Sequence, residues 1–535
     1  MNPPSRDDQV DKVKEWWKEN WNVETPPTEK PTVTLPSGPV TISECAQKLF
    51  AIIAPTKSLF VRGGAVVILT ERDDGMLALE ILRPAAARSF FEKHARLFAW
   101  RTGVDSKLVL KPTRCAHDMA DALLQTEEAR TLLPRVAGLI NCPFLRPVDG
   151  QAVASGTGYD AHTRLFVSGG SPPEDVDLKT AVSSLLDLHS EYDFQSESDK
   201  SRAIASLLSP ALKFGGFIAG RVPADVAEAD QSQSGKTFRQ KVAAAVYNER
   251  ISLVTNRQGG VGSVDESLDQ QLIAGRPFIQ FDNFRGRFDS RHLEAFLTAE
   301  GSFPCRVPHR GEVTVSPENY FVFLTSNGVN TTRDFANRSN IIRIRKKPDG
   351  FMFREYPEGE LLEHVRARQS FYLGCVFAVI RHWYSQGQSR TGETRHDFRD
   401  WVQVVDWIVR NVFGLPPVMD GHQQAQERVS NPALVWLRSL ALAVDQTGDL
   451  NREFTATEIY SLCESADVAI PNLGAGADED KGKRVIGTLM AKLFRDSNML
   501  EVEGYQVSRQ ESYVSRDDIN AGGGFTSKTY TVRKP

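Results

Sequence analysis

Residues 224–248 read ADVAEADQSQSGKTFRQKVAAAVYN. A short run that can form a buried strand meets a polar turn, and the turn closes on Ser234-Gly235-Lys236-Thr237 where a helix begins. Phe238, Val242, Ala245 and Val246 recur at i, i+4, i+7 and i+8, the spacing of an amphipathic helix. Backbone N–H groups at such a helix start carry partial positive charge and can cradle a phosphate, while a lysine ammonium reaches the terminal phosphates. This is the arrangement of a P-loop, with the Thr237 hydroxyl placed to hold Mg²⁺. Asp230 stands where the usual motif has its first glycine, which puts a carboxylate near the phosphate loop.

A phosphate cradle that hydrolyses ATP also needs a carboxylate at the end of a neighbouring apolar strand to hold Mg²⁺. Arg276–Phe281 (RPFIQF) is such a strand, and it runs into Asp282-Asn283. Tyr320–Thr325 (YFVFLT) is another, ending in Ser326-Asn327, and Asn327 is placed to position the attacking water. Between them lie a helix over Ser290–Thr298 and a hairpin over Phe303–Val315 with Pro308-His309-Arg310-Gly311 at its tip. Alternating strands and helices predict a mostly parallel sheet, whose ligands bind at the carboxyl ends of its strands. Asn283 follows Asp282 where a second acid usually polarises the water, and an amide cannot accept that proton. Glu266 or Glu300 could supply the missing carboxylate; otherwise hydrolysis is slow.

Around this core the chain divides into a charged, Trp-bearing tail and Pro-rich linker (1–35), an α+β domain (36–165), a helical connector (166–205), the P-loop core (206–350), a helical segment (351–440) and a last domain (441–535). In the α+β domain, strands are expected around Gly63-Gly64 and over Leu77–Leu82, with helical patches at Phe90–Trp100 and His117–Leu124. In the last domain Thr455 and Glu458 form a capping box, and a second helix follows over Asp480–Asp496. That helix carries Val485, Ile486, Leu489, Met490 and Leu493 on one side and Lys481, Arg484, Lys492 and Arg495 on another. Two strands, around Tyr505–Val514 and Phe525–Val532 and separated by a Gly522-Gly523-Gly524 turn, end the chain. Helix, basic helix, hairpin is the order of a winged helix, with the basic side available to phosphates.

The order GKT, FIQFDN, hairpin, FLTSN and NRSNIIRIR resembles the AAA+ ATPase domain of phage- and mobile-element-encoded, primase-associated replicative helicases, related to the superfamily 3 helicases of small DNA viruses. The resemblance covers 192–347 well and extends loosely to Gly158-Tyr159-Asp160 and the C-terminal parts. It implies that Lys236 and Thr237 are Walker A, Asp282 Walker B and Asn327 sensor 1. It also implies a ring, usually a hexamer, with ATP between subunits. Arg338 is then the best match for the arginine that reaches a neighbour's γ-phosphate, with Arg333 and Arg343 as competitors. The hairpin would line the ring's channel and grip DNA through Arg306, His309 and Arg310.

The 535-residue chain is 41% hydrophobic and 25% charged, with net charge −4 and a pI near 6.3. No overall basic excess advertises nucleic-acid binding, so that reading rests on local patches. Six scattered cysteines without a C-x-x-C pair fit a reducing cytoplasm, and the resemblance implies that of a bacterial or phage-infected cell. Phe371–Ile380 is too short to cross a bilayer. Asp160, Asp175 and Asp177 make no recognisable primase triad, so a separate primase is the expected partner. The expectation is an ATP- and Mg²⁺-dependent helicase or translocase on DNA, against the alternative of a nucleotide-regulated DNA-binding switch that hardly hydrolyses ATP.

Overall fold

The computed structural model describes residues 30–534, apart from 74, 104–106, 230–232, 256–262, 285–286, 308–310, 472, 474–477, 503 and 515–524. Asp230, the His309-Arg310 tip and the Gly522-Gly523-Gly524 turn therefore lie outside the described residues. The architecture is multidomain α/β with mixed sheets.

At its centre stand six strands: β1 (Asp193–Phe194), β2 (Ala224–Ala229), β3 (Ser252–Leu253), β4 (Phe278–Phe284), β5 (Phe321–Asn327) and β6 (Ser339–Arg345). Their order is β1-β6-β2-β5-β4-β3. Five run parallel, and only β1 is antiparallel. Both faces are covered. Phe321 and Phe323 of β5 pack on one side with Phe278 and Val242, and Val322 and Leu324 pack on the other with Ile279, Phe281 and Ile341. Alternate residues facing two buried layers explain the unbroken apolar runs in β4 and β5.

Strand β2 looks poor as a core strand because it contains Asp225 and Glu228, yet every residue in it is buried. Each acid has partners. Asp225 is bonded by Ser206 on helix α1 (Glu197–Phe214) and by Arg239 and Gln240 on helix α2 (Lys236–Val246). Gln240 also donates to the Leu324 carbonyl at 3.3 Å and accepts from Gln280 at 2.6 Å, so α2 is tied to three strands at once. Glu228 is paired by Arg428 and also accepts from the Val329 N–H at 2.9 Å. Arg428 lies on His422–Ser430, one of the helices that follow the sheet, so this ion pair fastens the helical segment to the strand below the phosphate loop.

The N-terminal unit has its own core, including Phe50, Leu59, Phe91 and Leu123. Strands Leu59–Arg62 and Ala65–Glu71 flank the glycine pair and Leu77–Ile81 follows, as the sequence pattern predicts. The segment 90–100 differs from the helical expectation. The helix is Pro84–His94, and Arg96–Thr102 is a strand between Thr32–Thr34 and Leu108–Pro112. Pairing on both sides, with the distant Thr32–Thr34 and the following Leu108–Pro112, overrides the local pattern there. Thr32–Thr34 itself lies in the stretch whose prolines suggest an extended linker.

Arg62 joins this unit to the centre, donating to the carbonyls of Leu272 and Ile273 at 2.7 Å each and to the Tyr320 hydroxyl. Next to it a Cβ on Gly63 would fall 2.0 Å from the Thr314 carbonyl oxygen, so only glycine fits. That contact sets the glycine turn against the hairpin formed by Phe303–Val307 and Gly311–Val315.

The last unit packs helices Ala456–Ser465 and Glu479–Leu493 on a sheet in which Tyr505–Val514 and Phe525–Arg533 pair antiparallel. Thr455 and Glu458 form the expected capping box. Gly482 lets the two helices meet, since a Cβ there would fall 2.1 Å from the Tyr460 ring. No helix among the described residues is long and apolar enough to cross a membrane. Phe371–Ile380 lies within Gln369–Ser385, most of it in the core.

The Glu228 ion pair generates the first test. Arg428→Ala leaves a buried carboxylate short of its cation and should cost about 3 kcal/mol, read as a shift in the urea midpoint. The double variant Glu228→Gln with Arg428→Met should recover part of that loss, because both charges of the close pair are removed while buried Arg438, 4.0 Å from Glu228, keeps its own.

Candidate functional site

Gly235 takes φ 85 at the start of α2 and, as the N-cap, supplies no side-chain cap. A helix start of this kind can offer its first-turn N–H groups to an outside acceptor, as phosphate binding at a helix N-terminus requires. Gln233 is also left-handed, at φ 64. Lys236 is 8% exposed. Burial pulls its pKa below the usual lysine value, against the opposing pull of Glu228 and Asp282. Its ammonium donates to Asn327 Oδ1 at 2.6 Å and to Ser234 Oγ at 3.3 Å.

Asp282 sits where β4 and β5 lose register, between Phe281 and Phe284. Its Oδ1 accepts from Thr237 Oγ1 at 2.7 Å and from Thr325 Oγ1 at 2.7 Å. Thr325 Oγ1 also accepts from the Asn283 N–H at 2.7 Å. Lys236, Thr237, Asp282 and Asn327 therefore meet at the carboxyl ends of three adjacent strands. Thr325 is the member that the sequence reading missed. Its signal was present: it lies two residues before Asn327 in a strand, so both face the same way.

Thr237 and Asp282 offer hard oxygen donors of the kind Mg²⁺ takes, with phosphate oxygens and water filling the rest of its shell. Among the described residues no three His, Cys, Asp or Glu side chains gather into a self-sufficient metal centre. A metal held here would depend on a phosphate ligand for the remainder of its coordination.

Beside the phosphate loop opens a pocket of about 600 Å³, lined by Tyr192, Ser234, Gly235, Phe238, Phe353 and Tyr356 among others. Its size and partly aromatic walls suit a nucleoside. Tyr192 was not foreseen. Its hydroxyl is buried without a hydrogen-bond partner, and its ring would stand 3.2 Å from a Cβ on Gly235. It comes from a segment before β2 that carries no sequence signal for a ligand.

Asn283 is exposed with φ 49. Glu300 lies at the wrong end of the sheet to help it. Its charge acts on Arg221, which also feels Arg338, and the Ala224 N–H at the start of β2 donates to the Arg338 carbonyl at 3.0 Å. Glu266 is in the first turn of Val264–Ala274. Glu228 is close to the loop, but both of its oxygens accept from Arg428.

Arg338 thus stands the length of β2, about 20 Å, from the phosphate loop of its own chain. It is partly exposed, and its nearest acid is Asp334 at 4.0 Å. Arg343, one of its competitors, is committed to buried Asp199 through its backbone N–H at 3.0 Å and its guanidinium at 3.3 Å. Arg333 is exposed on Arg333–Asn337.

Arg306 is exposed on the hairpin opposite Glu312, with its N–H donating to Asp269 at 2.9 Å. Lys481, Arg484 and Lys492 are exposed on Glu479–Leu493, while Ile486, Leu489 and Met490 are buried. Arg495 is exposed too, but it lies beyond the helix end because the helix stops at Leu493. Asp160 is occupied by Arg146 at 3.2 Å and by the N–H groups of His162 and Thr163. Asp177 caps a helix through the Thr180 N–H.

No protein-family model matches the chain, and no curated protein matches it in sequence. Among solved structures, the apo A form of the NrS-1 C-terminal region aligns at 12% identity and TM-score 0.32, covering 84% of this chain and 100% of that one. A structure described as "SCCmec type IV Cch - active helicase" aligns at 11% identity and TM-score 0.31, covering 86% and 90%. Likenesses of this strength leave the function to the site itself.

Thr325→Val keeps the side chain's shape and removes its bond to Asp282. Support of this kind behind a metal ligand is typically worth about 10–100-fold in metal affinity or activity. The expected result is a higher Mg²⁺ concentration for half-maximal nucleotide binding in a calorimetric titration, and an unchanged midpoint would remove Thr325 from the site.

Proposed function

We propose that the chain is an ATP- and Mg²⁺-dependent DNA helicase or translocase of the superfamily 3-like AAA+ type, working as a ring on replicating phage, plasmid or integrated-element DNA. The observation that carries this reading is the meeting of Lys236, Thr237, Asp282 and Asn327 at three neighbouring strand ends, beside the helix start at Gly235. Lys236 and the α2 N–H groups bind the phosphates, and Asn327 orients the attacking water. Mg²⁺, held by Thr237 and Asp282, supplies charge neutralisation at the phosphates. Tyr192 and its neighbours shelter the nucleoside.

Arg338 is too far from its own chain's loop to serve it, so a second subunit has to present it. The Phe303–Val315 hairpin, with Arg306 and the His309-Arg310 tip, grips the DNA backbone, and the C-terminal unit acts as a winged helix with Lys481, Arg484, Lys492 and Arg495 toward phosphates. A separate primase and a cytoplasmic setting belong to the same reading.

Lys236→Ala should abolish DNA-stimulated ATP turnover; unchanged turnover would defeat the assignment. Arg338→Ala should be equally inactive alone. An equimolar mixture of the two variants should regain part of the activity, because mixed rings contain interfaces with an intact Lys236 and an intact Arg338. A mixture as dead as its components would remove Arg338 from the interface.

Asn283 favours a second reading, a DNA-binding switch that binds ATP and hardly turns it over. The distinguishing measurement is turnover with and without single-stranded DNA. Tight nucleotide binding with negligible hydrolysis in both cases selects the switch, and in that case Asn283→Asp should raise the rate.

A further inference from the structure

A cleft of about 370 Å³ lies where the N-terminal unit meets the base of the central hairpin. One wall holds Arg62, Gly63, Arg130, Arg135 and Arg164, and the other holds Ser302 and residues 314–316. No carboxylate lines it. Arg135 and Arg164 are brought close by main-chain pairing: Val136 donates to the Val61 carbonyl at 3.0 Å, and Ala137 donates to the Arg164 carbonyl at 2.7 Å. Arg130, Arg135 and Arg164 are exposed. Among the described residues none of the three has a carboxylate within 4 Å of its guanidinium.

Arg62 is different, at 3% exposure. Its terminal nitrogens are spent on two carbonyls and a hydroxyl, all neutral, and its Nε is buried without a hydrogen-bond partner. A buried cation held only by dipoles, with three more cations around the same opening, is costly unless an anion completes the site. Guanidinium forks match phosphate oxygens in geometry and charge.

The extent of the surface indicates which phosphate. Arg130 also lines an adjoining recess of about 350 Å³ with Val307, Glu312 and Val313 of the hairpin. Glu312, the one carboxylate in that recess, stands opposite Arg306 in the hairpin register. Arg130 therefore joins the cleft to a recess along the base of the hairpin, and Arg130, Arg135 and Arg164 form the row of cations along the opening. A run of cations along an open groove follows a chain of phosphates rather than one small anion.

We propose that this cleft binds the phosphodiester backbone of single-stranded nucleic acid, forming a second contact point behind the hairpin. The proposal rests on the nucleic-acid reading above and adds the N-terminal unit to it.

The test compares the full chain with the triple variant Arg130→Ala, Arg135→Ala, Arg164→Ala, using a short labelled oligothymidylate, fluorescence anisotropy and salt from about 50 to 200 mM. The expected result is at least about a tenfold loss of affinity at low salt and a salt slope shallower by about 2, at roughly 0.7 per lost single-strand phosphate contact. Binding of a fluorescent ATP analogue should stay unchanged. The corresponding triple lysine variant should keep the slope, which a fold defect would not allow.

If the parent chain binds the oligonucleotide and the alanine variant binds it with the same affinity and slope, the cleft proposal is overturned and the wider function stands. A variant that loses ATP affinity but keeps the oligonucleotide overturns it in favour of a mononucleotide site. If the parent binds no oligonucleotide at any salt, both proposals fall.

Discussion

The candidate site depends on one buried carboxylate. Asp225, 3% exposed in the middle of the sheet, gathers Ser206, Arg239 and Gln240, and Gln240 passes the connection to Leu324 and Gln280. Without these partners an ionised group at that depth would cost several kcal/mol. With them it fixes the rotation and height of α2 against three strands. The position of Lys236 and Thr237 relative to Asp282 and Asn327 follows from that fixation, because the first pair starts α2 and the second pair ends the strands. Polar groups below the sheet thus set the geometry of polar groups above it.

The parts that were legible in the sequence have a common physical origin. Strands β4 and β5 are buried on two faces, so their residues are apolar without interruption and their polar ends stand out. The Thr455 capping box and the glycine pair at Gly63-Gly64 were readable because few other local structures use those residues. Strand β2 was hard to read for the opposite reason: Asp225 and Glu228 weaken its pattern, and the arginines that justify them arrive from positions 239 and 428. The second half of 90–100 was misread as helical, since the parallel strand that completes its pairing, Thr32–Thr34, lies more than sixty residues earlier. Thr325 could have been found by counting two back from Asn327. Tyr192 could not, because only the folded chain places it beside Gly235.

The sheet also separates two kinds of chemistry by its length. Lys236, Thr237, Asp282 and Asn327 collect at one end, whereas Arg221, Glu300 and Arg338 collect at the other. A single chain therefore holds the two halves of the proposed composite site apart. On the reading above, turnover becomes a property of neighbouring copies, and the Glu228–Arg428 pair makes the helical segment move with the strand that ends at the phosphate loop.

The contact between Gly63 and Thr314 carries a mechanical meaning of its own. It is main chain against main chain, with no side chain to rotate aside, so compression there meets covalent geometry directly. The hairpin has a stop behind it at Thr314, and helix Val264–Ala274 holds its first strand through Asp269, which accepts the Arg306 N–H.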